Sequence, residues 1–318
     1  MKKNIALFLA IIMAFSLVGC ANNAEKAATS DAAEALASQK IANSKIFLIT
    51  MDQLEQYWNN IDAGCRDAVE EIGNVEYLWT APDAKDDAKQ IEMINNAVAN
   101  GADAILLAAN GAEACNDALK EASAAGVLIV YVDSPASFEP YVQTLTTDNE
   151  AAGKTAGETM IAKLGEKGIT SGKIGVVGVN ASVASCNSRD KGFRSAFEGT
   201  DFELLETQYT DSDVAKAKDC ASAFIVDGCV GVFGVNEGTT VGIGNAIKEA
   251  ANDAIVGIGF DNSDTVNGLI KGGYIAATMV QNPYVMGYEG IKVAVSALRG
   301  TTPAEKILDT GVSVVTAD

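Results

Sequence analysis

Two doubly wound α/β lobes, each a parallel sheet covered by helices and both facing one cleft, are the architecture the sequence predicts. Three observations point there. The chain has 318 residues, more than the roughly 100 to 200 residues of one ordinary domain. From Lys45 onward short apolar runs alternate with segments of helical period, the pattern of parallel sheets joined by helical crossovers. The alternation runs twice, and polar residues stand at matching strand ends in both passes.

The first pass reads as strand Ile46 to Thr50, helix Tyr57 to Ile72, strand Val75 to Thr80 and helix Lys85 to Asn100. It continues with strand Ala104 to Ala108, helix Ala112 to Ala125 and strand Val127 to Val132. Unbroken apolar runs such as Ile105-Leu106-Leu107-Ala108 fit a sheet buried on both faces. The second pass begins after Asp148 with helix Ala151 to Leu164, strand Lys173 to Val179, helix Ser188 to Phe197 and strand Glu203 to Tyr209. Helix Ala215 to Ile225, strand Val230 to Val235, helix Thr239 to Ala250 and strand Ala254 to Phe260 complete it. One unit repeats between the passes: strand, Asn110, a helix containing Leu119-Lys120-Glu121-Ala122, strand, Asp133; then strand, Asn236, a helix containing Ile247-Lys248-Glu249-Ala250, strand, Asp261. The Asn to Asp separations are 23 and 25 residues, consistent with a weak internal duplication. Ligands of open parallel sheets bind beyond the carboxyl ends of the strands, so Asn110, Asp133, Asn236 and Asp261 are expected to converge on the cleft. For each of them helix N-capping is the structural alternative, since Asn and Asp satisfy free N–H groups at helix starts.

The ends of the chain and its charge narrow the chemistry. A basic start at Lys2 and Lys3 precedes an apolar run of 14 residues from Ile5 to Val18. That run is shorter than the roughly 20 residues a membrane-spanning helix needs, so residues 1–20 read as a cleaved secretion signal. Residues 21–43, rich in Ala, Ser and Asn, read as a flexible tether. The 42 acidic side chains outnumber the 23 basic ones and histidine is absent; losing Lys2 and Lys3 with the leader leaves about −21. Such a charge excludes phosphate-backbone binding, which needs a concentrated cationic surface. Without histidine, Ser-His-Asp, Cys-His and His-metal chemistries are excluded as well. A carboxylate pair such as Asp133 and Asp261 could still serve glycoside hydrolysis at about 5 to 9.5 Å separation. Cys65, Cys115, Cys186, Cys220 and Cys229 match no CxxC motif; Cys186 falls in a loop near the expected cleft. Asp83, Asp86 and Asp87 with Lys85 and Lys89 read as a helix start, and the glycine-dense stretch 228–244 lacks a phosphate-cradling motif. No metal and no cofactor are expected.

Particular fragments carry a resemblance. They are Tyr57-Trp58 six residues before Gly64, Asp133 after the fourth strand, Asp148-Asn149-Glu150 with Gly153 and Gly157, and Arg189-Asp190-Lys191-Gly192-Phe193. Asn236-Glu237, Gly259-Phe260-Asp261 and Ala276 to Gln281 follow. In order and spacing the chain from Lys45 onward resembles the ribose- and galactose-type periplasmic sugar-binding proteins, the type I substrate-binding components of ABC transporters. The resemblance implies two Rossmann-like lobes joined by three crossings, near Thr147 to Asn149, Gln281 to Pro283 and Pro303 to Ile307. The lobes would comprise 44–147 plus 282–305 and 148–281 plus 306–318, with Asp148, Asn149, Asn282 and Pro283 in the hinge. It implies that Tyr57, Trp58, Asp133, Asn236, Asp261 and Gln281 line a sugar pocket and that the protein binds without catalysing. Leu17-Val18-Gly19-Cys20 resembles a bacterial lipobox, which implies that Cys20 is acylated and anchors the protein outside the cell membrane. The expected partners are a small sugar-like ligand and an ABC permease, with no nucleic acid, the lipid anchor as the sole membrane contact, and a monomeric state.

These residue types suit a sugar. An ionised Asp accepts hydroxyl protons, while Asn and Gln both donate and accept; hydrogen bonds to charged groups contribute about 1.5 to 3 kcal/mol each. Trp58 or Tyr57 would stack on a C–H face. Two departures bear on the ligand: Ser134 and Asn187 stand where the family commonly has arginines, which changes the hydroxyl acceptors that can be met. Asn187 therefore joins the expected contacts, as do Asp52 and Gln56 from the acidic first-strand loop. A nucleoside, polyol or furanone-signal receptor feeding a sensory partner is the alternative within binding proteins.

Overall fold

A computed structural model describes residues 44–317. The leader, Cys20 and the tether lie outside the described residues. The first sheet is built from β1 (Ser44–Ile49), β2 (Val75–Thr80), β3 (Ala104–Leu107), β4 (Leu128–Val132), β5 (Thr144–Thr146) and β12 (Ile307–Asp309). Its order is β12-β5-β4-β3-β1-β2, and every pairing is parallel. Helices α1 (Gln56–Ile72), α2 (Asp87–Ala99), α3 (Asn116–Ala124) and α9 (Pro283–Leu298) cover it. The second sheet contains β6 (Ser171–Gly178), β7 (Asp201–Leu204), β8 (Gln208–Tyr209), β9 (Cys229–Gly234), β10 (Val256–Phe260), β11 (Ala277–Gln281) and β13 (Val312–Val315). Its order is β13-β11-β10-β9-β6-β7, with β8 also against β6, and only β13 runs antiparallel. Helices α4 (Asn149–Glu166), α5 (Ala184–Ser195), α6 (Val214–Val226), α7 (Glu237–Ala250) and α8 (Asp264–Lys271) cover this lobe.

Local chemistry explains the element starts. Asp86, Asp148, Asp213, Asn236 and Ser263 each accept a backbone N–H from the first turn of α2, α4, α6, α7 and α8, and Pro283 opens α9 where its missing N–H costs nothing. The central strands are buried along both faces, as β3 shows from Ala104 to Leu107. Helix packing repeats in the two lobes. A Cβ at Gly64 in α1 would stand 2.0 Å from the Tyr284 carbonyl oxygen of α9, and one at Gly153 in α4 would stand 2.0 Å from the Arg189 carbonyl oxygen of α5. Glycine thus sets backbone-to-backbone contact at the helix pair beside each half of the cleft. Gly64→Ala is expected to cost about 1 to 3 kcal/mol by overpacking, read as a drop of several degrees in Tm. Gly165, with nothing within 4 Å of its Cβ position, is the control: Gly165→Ala should be neutral or mildly stabilising.

The structure corrects several boundaries. Ile307–Asp309 pairs with Thr144–Thr146 in the first sheet, and Thr144 N–H donates to the Lys306 carbonyl. The third crossing therefore lies at Thr310–Gly311, not at Pro303 to Ile307, and residues 306–309 leave the second lobe for the first. The open edge of β5 takes up β12 before the chain can cross. The expected strand Glu203 to Tyr209 divides into β7 and β8, and the expected helix from Ala112 begins only at Asn116.

Candidate functional site

Both lobes turn the carboxyl ends of their strands toward one narrow cavity lined by residues of each. Asp133 directly follows β4 and Asp261 directly follows β10, and both adopt left-handed backbone, φ 61° and φ 71°, a region Asp and Asn tolerate better than most residues. Matched contacts hold them there. Asp133 N–H donates to the Leu145 carbonyl and its own carbonyl accepts from Thr146 Oγ1; Asp261 N–H donates to the Met279 carbonyl and its carbonyl accepts from Thr278 Oγ1.

Arg189, from α5, is the cation between them and is 2% exposed. Its Nε donates to Asn149 Oδ1 at 2.7 Å and its Nη1 to the Val235 carbonyl at 2.9 Å. Its guanidinium lies 4.3 Å over the Phe260 ring. Nη2 stands 3.7 Å from Asp133 Oδ1 and makes no hydrogen bond. Burial opposes the arginine's charge, but the neighbouring Cys186, Asp261 and Asp133 outweigh it and hold the guanidinium above its ordinary value. Tyr57 Oη donates to Asp133 Oδ1 at 2.8 Å. Gln281 Nε2 donates to Asp261 Oδ1 at 2.7 Å and its Oε1 accepts from Thr147 Oγ1, which ties the site to the first crossing.

Several contacts close one lobe on the other. Tyr57 N–H of the first lobe donates to Glu237 Oε2, while Glu237 N–H donates to Asp261 Oδ2. At the mouth the Glu55 carboxylate accepts from Ser212 Oγ and from Asn236 Nδ2 in the second lobe. Lys85, 3% exposed along its side chain, neutralises Glu55 and Asp52 from the first lobe. Gly238 leaves room for Ser212 of the same lobe, whose Oγ a Cβ would meet at 2.4 Å, and such a Cβ would also stand 3.3 Å from Glu55 Oε1 across the cleft.

Burial pushes both aspartates upward against the pull of Arg189: Asp133 above the usual carboxylate range and Asp261 to about 7. Glu237 moves the same way, again through burial. Asp261 faces Arg189, Gln281, Glu55 and Glu237. The sign follows from its raised value: its ionisation in the buried site is unfavourable, so the folded, closed protein loses stability as pH rises from about 4 to about 7 and no further above that. Asp261→Asn in the ligand-free protein should therefore melt close to the parent at pH 5 and above it at pH 8, by calorimetry at both pH values.

The cavity brings together Tyr57, Trp58, Asp133, Asn236, Asp261 and Gln281, six of the ten expected contacts. The other four are placed elsewhere. Asn110 Nδ2 donates to Asp87 at the start of α2 and its N–H donates to Gln90. Asn187 lies in α5 and its Nδ2 donates to the Ala181 carbonyl in the loop before that helix. Asp52 is buried, but its carboxylate serves Lys85 and the Leu54 N–H. Gln56 is exposed and its Oε1 accepts from Asp264 N–H across the lobes. Asn236 borders the cavity yet is fully engaged, by Glu55, Ser212 and its capping box with Thr239. At the crossings Asp148 caps α4, Asn149 holds Arg189, and Asn282 Nδ2 donates to the Thr310 carbonyl just before Pro283 begins α9. Sequence reasoning missed Arg189, Glu55 and Lys85 as site residues. Cys186, expected in a loop, lies instead in the first turn of α5; it lines the cavity, and burial raises its thiol to about 11. Among the described residues, no cluster of three or more His, Cys, Asp or Glu is placed to hold a metal ion, and no helix is long and apolar enough to cross a membrane.

Two parallel-sheet lobes, three crossings and a buried polar cavity at their strand ends define a two-lobed receptor of the periplasmic binding type. The chain belongs to the periplasmic binding protein domain family, whose model matches residues 46–302. It is 27% identical over 276 residues to the ribose import binding protein of Haemophilus influenzae, covering 86% of this chain and 92% of that protein. An ABC transporter solute-binding protein from Agrobacterium vitis, solved with bound D-fucose, superposes with a TM-score of 0.81 at 33% identity, over 86% of this chain and 95% of that one. A carbohydrate transporter solute-binding protein from Agrobacterium radiobacter, in complex with D-arabinose, gives 0.82 at 30% identity, over 86% and 94%.

Proposed function

We propose that this chain captures a neutral monosaccharide between its lobes, closes over it and delivers it to the permease of an ABC importer. The observation that carries the reading is the pair Asp133 and Asp261, one from each lobe, set around one buried guanidinium. Carboxylates of that kind accept hydroxyl protons from a ligand that spans both lobes, so occupancy favours closure. The two similar solute-binding proteins described above hold D-fucose and D-arabinose, and membership of the periplasmic binding protein domain family supports an extracytoplasmic station for this chain. The further parts of the reading are a lipid anchor at Cys20, a monomer, no catalytic turnover, and lobes of 44–147 plus 282–309 and 148–281 plus 310–317. The hinge comprises Asp148, Asn149, Asn282 and Pro283 with Thr310 and Gly311.

The test is a thermal-shift and tryptophan-fluorescence titration of the purified chain with D-ribose, D-arabinose, D-fucose, further monosaccharides, polyols and nucleosides. At a hundredfold excess over Kd the right ligand adds about 2.7 kcal/mol of stability. Saturable one-to-one binding of a monosaccharide without turnover is the expected outcome. Stabilisation by nucleosides or polyols alone would reassign the ligand, and release of product from a glycoside would contradict the receptor reading.

A further inference from the structure

We propose that Trp58 recognises the ligand through its indole N–H, acting with Arg189 Nη2 as a pair of donors that require two oxygen acceptors on the ligand. This deepens the monosaccharide reading and rests on it. Trp58 is 2% exposed and lines the interlobe cavity. Its only polar atom, Nε1, is buried and has no hydrogen-bond partner among the described residues, and the same holds for Arg189 Nη2. An unpaired buried donor costs about 1 to 3 kcal/mol, and native proteins keep few of them. Both residues line the same cavity, one from each lobe, and so mark where a ligand supplies what the protein does not.

The surroundings fix the indole for this role. Tyr57 meets it edge to face at 5.0 Å and 83°, and Tyr57 is itself held by the Asp133 carboxylate. The chain's other tryptophan behaves differently: Trp79 Nε1 donates to Thr50 Oγ1 at 2.9 Å. The donors also complement the rest of the wall. In their ionised form Asp133 and Asp261 only accept from a hydroxyl, so a ligand held by them alone would have its own oxygens unmet. Trp58 and Arg189 meet those oxygens. The ligand contact expected of Asn236 is removed by its engagement with Glu55 and Ser212, which leaves the indole a larger share of the recognition.

The experiment titrates the wild-type chain and Trp58→Phe with D-ribose, D-arabinose and D-fucose by calorimetry, and follows the two indole resonances by ¹H–¹⁵N spectroscopy, assigned with Trp79→Phe. Phenylalanine keeps an aromatic face and removes the donor. The expected result is a downfield move of the Trp58 indole proton on saturation and affinity for the tightest of the three sugars weakened about tenfold or more in Trp58→Phe. An unmoved Trp58 resonance at saturation, or unchanged affinity in Trp58→Phe, overturns the donor role and leaves the monosaccharide reading standing. Failure of these three and of every further monosaccharide to saturate the wild-type chain overturns both.

Discussion

Arg189→Met is expected to abolish saturable sugar binding and to lower the unfolding free energy by about 3 to 5 kcal/mol, the usual result of removing one partner from a buried ionic cluster. The arginine hydrogen-bonds within the second lobe and faces the first lobe's Asp133 at 3.7 Å. Without it Asn149 Oδ1 and the Val235 carbonyl lose their donors, and Phe260 loses the cation 4.3 Å above its ring. Asp133 and Asp261 also lose the charge that opposes their burial, so both shift further toward the protonated form and cease to be strong acceptors. Methionine fills much of the volume, so the loss reports charge and hydrogen bonding, not a cavity. Chemical denaturation and calorimetric titration measure the two effects separately. Parent-like stability together with parent-like affinity would remove Arg189 from the centre of the site.

The second large effect belongs to the aspartates. Asp133→Asn and Asp261→Asn are each expected to weaken sugar binding about 10- to 150-fold, the equivalent of one charged hydrogen bond at 1.5 to 3 kcal/mol. Asparagine is the chosen substitute because both positions have positive φ, where alanine would add backbone strain unrelated to the ligand. The two should not be additive, since both surround the same guanidinium. Asp261→Asn makes an informative pair of results: it stabilises the ligand-free protein at pH 8 while weakening its binding. That opposition is the mark of a residue kept for function at the expense of stability. Unchanged affinity in both variants would place the pocket elsewhere.

Much of this site is legible in the chain because two strands end in the same way. Val132-Asp133 and Phe260-Asp261 are apolar runs broken by a carboxylate, and a parallel sheet can put that carboxylate only at its ligand-binding edge. The same reasoning misplaces Asn110. Asn236 caps α7 directly, whereas α3 begins six residues after Asn110, at Asn116, and the intervening loop carries Asn110 to Asp87. Internal similarity thus marks the matching strand ends but not the loops that follow them. Arg189 lies in a polar helix, Cys186-Asn187-Ser188-Arg189-Asp190-Lys191, with no periodicity to show that one of its charges is buried. Glu55 and Lys85 read as surface charge because their partners, Ser212, Asn236 and Asp52, come together only on folding and closure. The third crossing is displaced for a similar reason: the three residues of β12 carry no strand signal of their own and are ordered by the edge of β5.

A crystal structure of the chain grown with the monosaccharide it binds most tightly tests the central claim most directly. The account predicts one sugar enclosed between the lobes, its hydroxyls donating to Asp133 and Asp261 and its oxygens accepting from Arg189 Nη2 and Trp58 Nε1. A sugar bound outside this cavity, or one inside it that touches neither aspartate, would contradict the account.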